Sequence, residues 1–347
     1  MPAGSPSFPP ASPFARQARR RQAEWKALWP DLPALARRPG RWRDAHSVPF
    51  IFPISYAAQT LWAPIRDETL ETFSREAIVW HEGDSEDYGS RLAPGPSPHL
   101  LDSQVACLNF WWGLSKRPEG LAAVLRAVVP DIARMVPPIP GGGLLEAEWM
   151  GIANYLGEAD TPERPRRRGQ YATSVDLLLG YEDKAGRRRG ILLESKYTER
   201  YVGPSWRPER AAVYGPHFLA PGSPMRLDRV ASVDELLIEP FYQHLRQQLL
   251  ATAMEQAHEL GFETVSVLHV SPDGNGAYRQ NITAPALERW GDTVGKIWTA
   301  LLRDPSRYMS WSYEAAFAAA RTAAGNLCDP LWLSYQAARY GWNAANP

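Results

Sequence analysis

The spacing of apolar and polar positions changes several times along the chain and divides it into elements. Residues 16–29 carry Trp25, Leu28 and Trp29 at helical spacing and stop at Pro30, which predicts a short helix. From 30 to 100 no period is sustained, apart from a helix expected around 67–78. Beyond that the pattern sharpens. LLDSQVACLNFWWGLS has helical spacing, with Asp102 or Ser103 as its N-cap, and PEGLAAVLRAVV (118–129) opens a second helix on Pro118. Residues 141–157 follow three glycines and are apolar enough for either a helix or a strand. ATSVDLLLGYED then reads as a strand, KAGRRR as a turn and GILLESKYTE as the returning strand. So short a connection makes the two strands antiparallel neighbours. A looser stretch with Pro204, Pro208, Pro216, Pro221 and Pro224 follows. The next helix is long, with Pro240 in its first turn and Gly261 at its end. FETVSVLHV (262–270) is a strand, and residues 284–347 read as mostly helical.

The order helix, strand, strand, helix, strand, helix predicts an α/β fold in which helices flank a central mixed β-sheet. Four segments result: a disordered leader (1–15), an N-terminal extension packed on the core (16–100), the core itself (101–283) and a C-terminal helical region (284–347).

Composition narrows the functional classes. The 347 residues carry zero net charge, which argues against coating nucleic acid by bulk charge but leaves room for a local basic groove. Cys107 and Cys328 are the only cysteines and no Cys/His cluster exists, so a structural zinc site is not expected and a reducing compartment is. No apolar run approaches the roughly 20 residues that cross a bilayer. A cytoplasmic protein without a membrane partner is therefore expected.

Chemistry concentrates on the strand pair. Asp176 stands on the first strand, and Glu194 and Lys196 stand on one face of the second. Two neighbouring carboxylates repel unless a cation lies between them, and Mg²⁺ needs only one or two such ligands. Of 38 basic residues only five are lysine, so Lys196 stands out in a chain that otherwise uses arginine. A compact, rotatable ammonium suits the positioning of a water.

The Asp…Glu-x-Lys arrangement resembles the PD-(D/E)XK nuclease superfamily. SQVACLNF (103–110), ATSVD (172–176), ESKYTERY (194–201) and RQQLLATAMEQA (246–257) are similar to a bacterial, restriction-endonuclease-like branch of it. Val175 precedes the aspartate where the strict motif has proline. The resemblance implies a restriction-endonuclease-like core and a nuclease that hydrolyses DNA phosphodiesters with Mg²⁺, for which Mn²⁺ may substitute, in bacterial defence or DNA processing. Asp176 and Glu194 would hold the metal, assisted by Glu148 or Glu146, and Lys196 would complete the catalytic set. Gln243 and Gln247, four apart on one helix face, would touch metal waters or DNA phosphate, and the basic run Arg166, Arg167 and Arg168 would hold phosphates. DNA is the expected partner, with homodimerisation left open. The competing expectation is a nuclease-derived module that binds nucleic acid or a partner without cutting. Cleavage of RNA is a third.

Overall fold

The computed structural model describes residues 11–41, 47–82, 91–93, 95–158, 160–201, 205–323 and 327–342. Helix α1 (Pro13–Leu28) starts on the side-chain cap of Ser12, inside the segment expected to be a disordered leader, and residues 1–10 lie outside the described residues. Helix α2 (Ala63–Arg75) and a small hairpin of β1 (Trp80–Glu82) and β2 (Arg91–Ala93) follow. Asp102, not Ser103, caps α3 (Ser103–Cys107), accepting the Val105 N–H at 2.8 Å. A π-helical turn, Leu108–Trp112, carries α3 into α4 (Gly113–Ser115), and α5 (Pro118–Leu125) comes next.

Among the described residues the main sheet has six strands: β3 (Ile132–Val136), β4 (Leu145–Trp149), β5 (Val175–Asp183), β6 (Arg188–Ser195), β7 (Thr264–Ser271) and β8 (Tyr308–Ser312). Strands β3 and β4 pair in succession along one side of β5, and β6 lies on its other side, all antiparallel. Strands β7 and β8 extend the sheet in parallel from β6. The expected hairpin and central mixed sheet are therefore present. Both faces are covered, which is why β5, β6 and β7 read as nearly continuous apolar runs. Leu177, Leu179, Ile191, Leu193 and Leu268 pack toward one core, while Leu178, Leu192, Val265 and Val267 pack toward the other. The second core includes α6 (Ala211–Leu219), α7 (Phe241–Gln256) and α9 (Val294–Leu301); the short α8 (Gly276–Arg279) lies between α7 and α9 in sequence. Helices α10 (Tyr313–Thr322) and α11 (Pro330–Tyr340) pack in the first core.

Three local readings change. The ambiguous stretch 141–157 contributes strand β4. The region expected to be loose contains α6 despite Pro216 in its interior, because Tyr214 and Phe218, one turn apart, are buried. The C-terminal region expected to be helical contributes β8, whose five residues alternate too briefly to stand out between helices.

The terminal helices grip the chain where it leaves β6. Gln22 of α1 donates to the Tyr197 hydroxyl at 3.1 Å, and Arg339 of α11 donates from Nε to Gln22 Oε1 at 3.1 Å. Arg339 is fully buried, and among the described residues it has no carboxylate partner. It donates to the Thr60 carbonyl and the Tyr335 hydroxyl and stacks on Trp25 and Tyr340. Lys26 is a second buried cation with no acid bound to it among the described residues. Its Nζ donates to the carbonyls of Arg38 and Ile51, and burial pulls its pKa down to about 8. With a depressed folded-state pKa, the unfolded chain binds more protons between pH 8 and 10.5, so stability rises with pH across that window. Denaturant unfolding should show this rise, up to about 3 kcal/mol, in the wild type and not in Lys26→Met. Parallel pH profiles would contradict it.

Candidate active site

Strand register brings four polar residues into one row at the end of the sheet. Ala147 pairs with Leu177 and Trp149 with Val175, so Glu148 stands opposite Asp176. Leu177 pairs with Leu193, which continues to Asp176 beside Glu194, and Glu194 pairs with His269 of β7. The apolar alternation breaks at this row. Ala147 and Leu177 face the first core, whereas Trp149 and Val175 face the second. Glu148 sits at the break with φ of +49°, a conformation uncommon for a residue with a Cβ and costly enough, on the order of 1–3 kcal/mol, to need support from its surroundings.

Each carboxylate has a defined set of donors. Asp176 Oδ2 accepts the Ser195 N–H at 2.6 Å. Glu194 Oε1 accepts from Lys196 Nζ and Gln243 Nε2, both at 2.7 Å, and Oε2 accepts from Gln247 Nε2 at 2.6 Å. Gln247 is itself aimed. Its Oε1 can only accept, so His269 Nε2 at 2.7 Å carries the proton and His269 Nδ1 accepts from the Tyr278 hydroxyl at 3.3 Å. Burial, with His244 stacked at 3.9 Å, holds His269 well below the usual histidine range and hence neutral. Glu148 Oε1 accepts Gln104 Nε2 at 2.7 Å, and Oε2 accepts the Ser174 hydroxyl at 3.4 Å. Gln104 is fixed in turn by the His81 N–H and the Val79 carbonyl.

The electrostatics follow from crowding acids in a poorly hydrated place. Burial, then Glu194 and Glu148, push the Asp176 carboxyl well above the usual carboxylate range, against the pull of Lys196. Burial lifts Glu148 to about 7, against the hydrogen bond from Gln104 and with the help of Glu194. For Lys196 burial pulls down, but Glu194 and its neighbours outweigh it and hold the ammonium charged, well above its ordinary value. Among the described residues no set of three or more Asp, Glu, His or Cys side chains is arranged around a single ion position. The all-oxygen donors nevertheless suit a hard cation held by one or two carboxylates, with water and substrate filling the remaining positions.

A family model described as restriction endonuclease associating with ARP matches residues 35–341. The chain belongs to this restriction-endonuclease family. No curated protein and no solved structure matched the chain.

Within this member of the family, the structure brings Asp176, Glu194, Lys196, Glu148, Gln243 and Gln247 together. The two glutamines contact the Glu194 carboxylate directly. Glu146 is not part of the cluster, correcting the expectation that it competes with Glu148. Arg168 binds it at 2.8 Å and binds Glu76 with its other amino group. Arg168 thus binds two acids, and Arg166 donates through Nη2 to the Met150 and Ala153 carbonyls. Arg167 is exposed. Gln104 and His269 escaped the sequence reading. Gln104 lies within SQVACLNF, one of the stretches that carried the resemblance, whereas nothing local singles out His269. Among the described residues no helix is long and apolar enough to cross a membrane.

The raised pKa of Glu148 has a cost with a definite sign. Its folded-state pKa exceeds the unfolded one, so the native state binds more protons between pH 4.5 and about 7 and stability falls as pH rises through that window. Without divalent metal, Glu148→Gln should therefore be more stable than the wild type at pH 8, by up to roughly 3 kcal/mol, with the gain vanishing near pH 4. Chemical denaturation at both pH values measures this. A variant less stable at pH 8 would mean that the carboxylate is not strained by burial.

Proposed function

We propose that the chain is a metal-dependent endonuclease of the PD-(D/E)XK type that hydrolyses DNA phosphodiesters with Mg²⁺, or with Mn²⁺ in its place. The observation that carries this reading is the buried row of Glu148, Asp176 and Glu194, with Lys196 bound to its last member. Asp176 and Glu194, assisted by Glu148, would hold the ion. The bound cation supplies a water of lowered pKa and stabilises charge on the phosphate. Gln243 and Gln247 fix the orientation of Glu194 through neutral N–H donors, which satisfy its lone pairs without cancelling its charge. Lys196 Nζ, anchored 2.7 Å from Glu194 Oε1, orients the attacking water or neutralises the charge that develops at phosphorus during in-line displacement. The family's description carries an association with ARP. We extend that association to this chain, with bacterial defence or DNA processing as its setting and the cytoplasm as its compartment.

A second reading, a module that binds nucleic acid without cutting, draws on the complete occupation of Glu194 by Lys196, Gln243 and Gln247. Incubation with circular and linear DNA, with and without Mg²⁺, separates the two. The wild type should cut only with metal, and Lys196→Ala should bind DNA, keep its circular dichroism spectrum and lose cleavage by at least about 100-fold, the scale of one electrostatic group in a transition state. Full activity of Lys196→Ala in Mg²⁺ would remove the lysine from the chemistry. Binding without cleavage by the wild type would favour the second reading, and cleavage of RNA in place of DNA would redirect the substrate.

A further inference from the structure

Glu148 is held by more than its own hydrogen bonds. The turn 167–170, closed by reciprocal backbone hydrogen bonds between Arg167 and Gln170 at 3.0 and 2.9 Å, lies directly against its carboxylate. Gly169 makes the contact. Its φ is +82°, and a Cβ added there would lie 3.1 Å from Glu148 Oε2 and 2.7 Å from Val79 Cγ2, so a side chain would collide. Gln104 binds Glu148 Oε1 through the same Nε2 that donates to the Val79 carbonyl. Glu148 has reason to need this support, since its own φ of +49° persists only where the surroundings impose it.

Arg168 fixes the turn in place. Its Nη1 binds Glu76 Oε2 and its Nη2 binds Glu146 Oε2, both at 2.8 Å, and its guanidinium carbon lies 5.1 Å from the centroid of the Trp149 ring. Its carbonyl accepts the Val79 N–H at 3.3 Å. The Arg168 and Glu146 side chains are each 11% exposed, so this is not a screened surface pair. Glu146 and Trp149 stand on β4 two residues before Glu148 and one after it, while Glu76 and Val79 lie between α2 and β1. One side chain thus ties the N-terminal extension and the turn to the strand that bears Glu148.

We infer that Arg168 is a positioning residue: by clamping the turn 167–170 against Glu148, it sets that carboxylate where it can join Asp176 and Glu194 at the metal. That Glu148 serves a metal rests on the nuclease reading; the clamp on its carboxylate does not. Position and charge act with opposite signs here. A guanidinium bonded to Glu146 can only repel a nearby Mg²⁺, so an arginine that mattered through its charge alone would weaken metal binding, and its removal would strengthen it.

The test is calorimetric titration of Mg²⁺ into metal-free wild type, Arg168→Met and Glu146→Met, with amide hydrogen exchange across 145–149 and 167–171 followed in the same proteins. Methionine at 168 keeps an apolar contact with Trp149 and removes the fork. Glu146→Met opens the clamp from the other side and leaves the arginine in place, so the two variants change the local charge in opposite directions. The clamp predicts weaker Mg²⁺ binding in both, by about tenfold or more in Arg168→Met, the scale for groups that orient a metal ligand, and faster exchange in both segments. Tighter binding by Arg168→Met with weaker binding by Glu146→Met would reduce Arg168 to its charge and overturn the inference. So would unchanged Mg²⁺ affinity in Arg168→Met with a lower melting temperature, the mark of a purely structural ion pair. If the wild type takes up no Mg²⁺, exchange decides. Faster exchange confined to the two segments in both variants would uphold the clamp and sink the nuclease reading alone, whereas exchange at the wild-type rate would overturn the clamp as well.

Discussion

The constraint on which the site depends is charge. Glu148, Asp176 and Glu194 converge at one end of a covered sheet, and Lys196 is the cation that binds the row directly. Isolated carboxylates in such a place would simply take up protons. The chain offsets this in part with N–H and O–H donors, Ser195 to Asp176, Gln243 and Gln247 to Glu194, and Gln104 and Ser174 to Glu148, while burial still holds Asp176 and Glu148 above the usual carboxylate range. All of these donors are neutral. Arginine at the same positions would have paired with the acids and erased the charge, as Arg168 does to Glu146 a few residues away. Amide and hydroxyl donors satisfy lone pairs and leave negative charge for a cation. The neutral state of His269 belongs to the same design, since an imidazolium behind Gln247 would cancel part of that charge.

The remainder of the molecule holds this row in register. Where β6 ends, the chain is tied down on several sides. Lys196 N–H donates to the Val270 carbonyl, Glu199 accepts the Tyr197 N–H, and Asn275 donates to the Tyr197 and Glu199 carbonyls. The Tyr197 hydroxyl reaches Gln22, and through it the buried Arg339. The N-terminal extension and the last helix, which carry no legible chemistry of their own, thus support the position of Lys196 from behind. Tyr201 adds a 3.4 Å hydrogen bond to Gln243, giving the residues just past Lys196 a part in setting the glutamine face.

How much of this was legible in the sequence depended on how local the signal was. The hairpin bearing Asp176, Glu194 and Lys196 was readable because apolar runs joined by a short turn fix antiparallel pairing, and pairing fixes which residues face each other. The helix bearing Gln243 and Gln247 was readable because Pro240 opens it and its period lies within one segment, although it ends at Gln256, short of the expected Gly261. Strands β3, β4 and β8, of five residues each, are too short to impose a pattern, and their identity comes from partners distant in sequence. The choice between Glu146 and Glu148 was likewise tertiary. It rests on a positive φ at Glu148 and on Arg168 arriving from a loop to take Glu146. Gln104 and His269 reach the row from α3 and β7, and no spacing within either element announces that.

The central claim is that the row binds a divalent cation, whose charge lets its crowded acids ionise. Isothermal titration of Mg²⁺, and separately Mn²⁺, into the wild type and into Asp176→Asn measures this without substrate or turnover. The account predicts saturable binding by the wild type, with proton release near neutral pH as Glu148 ionises, and loss of that binding in Asp176→Asn. A wild type that binds neither ion while still binding DNA would contradict it.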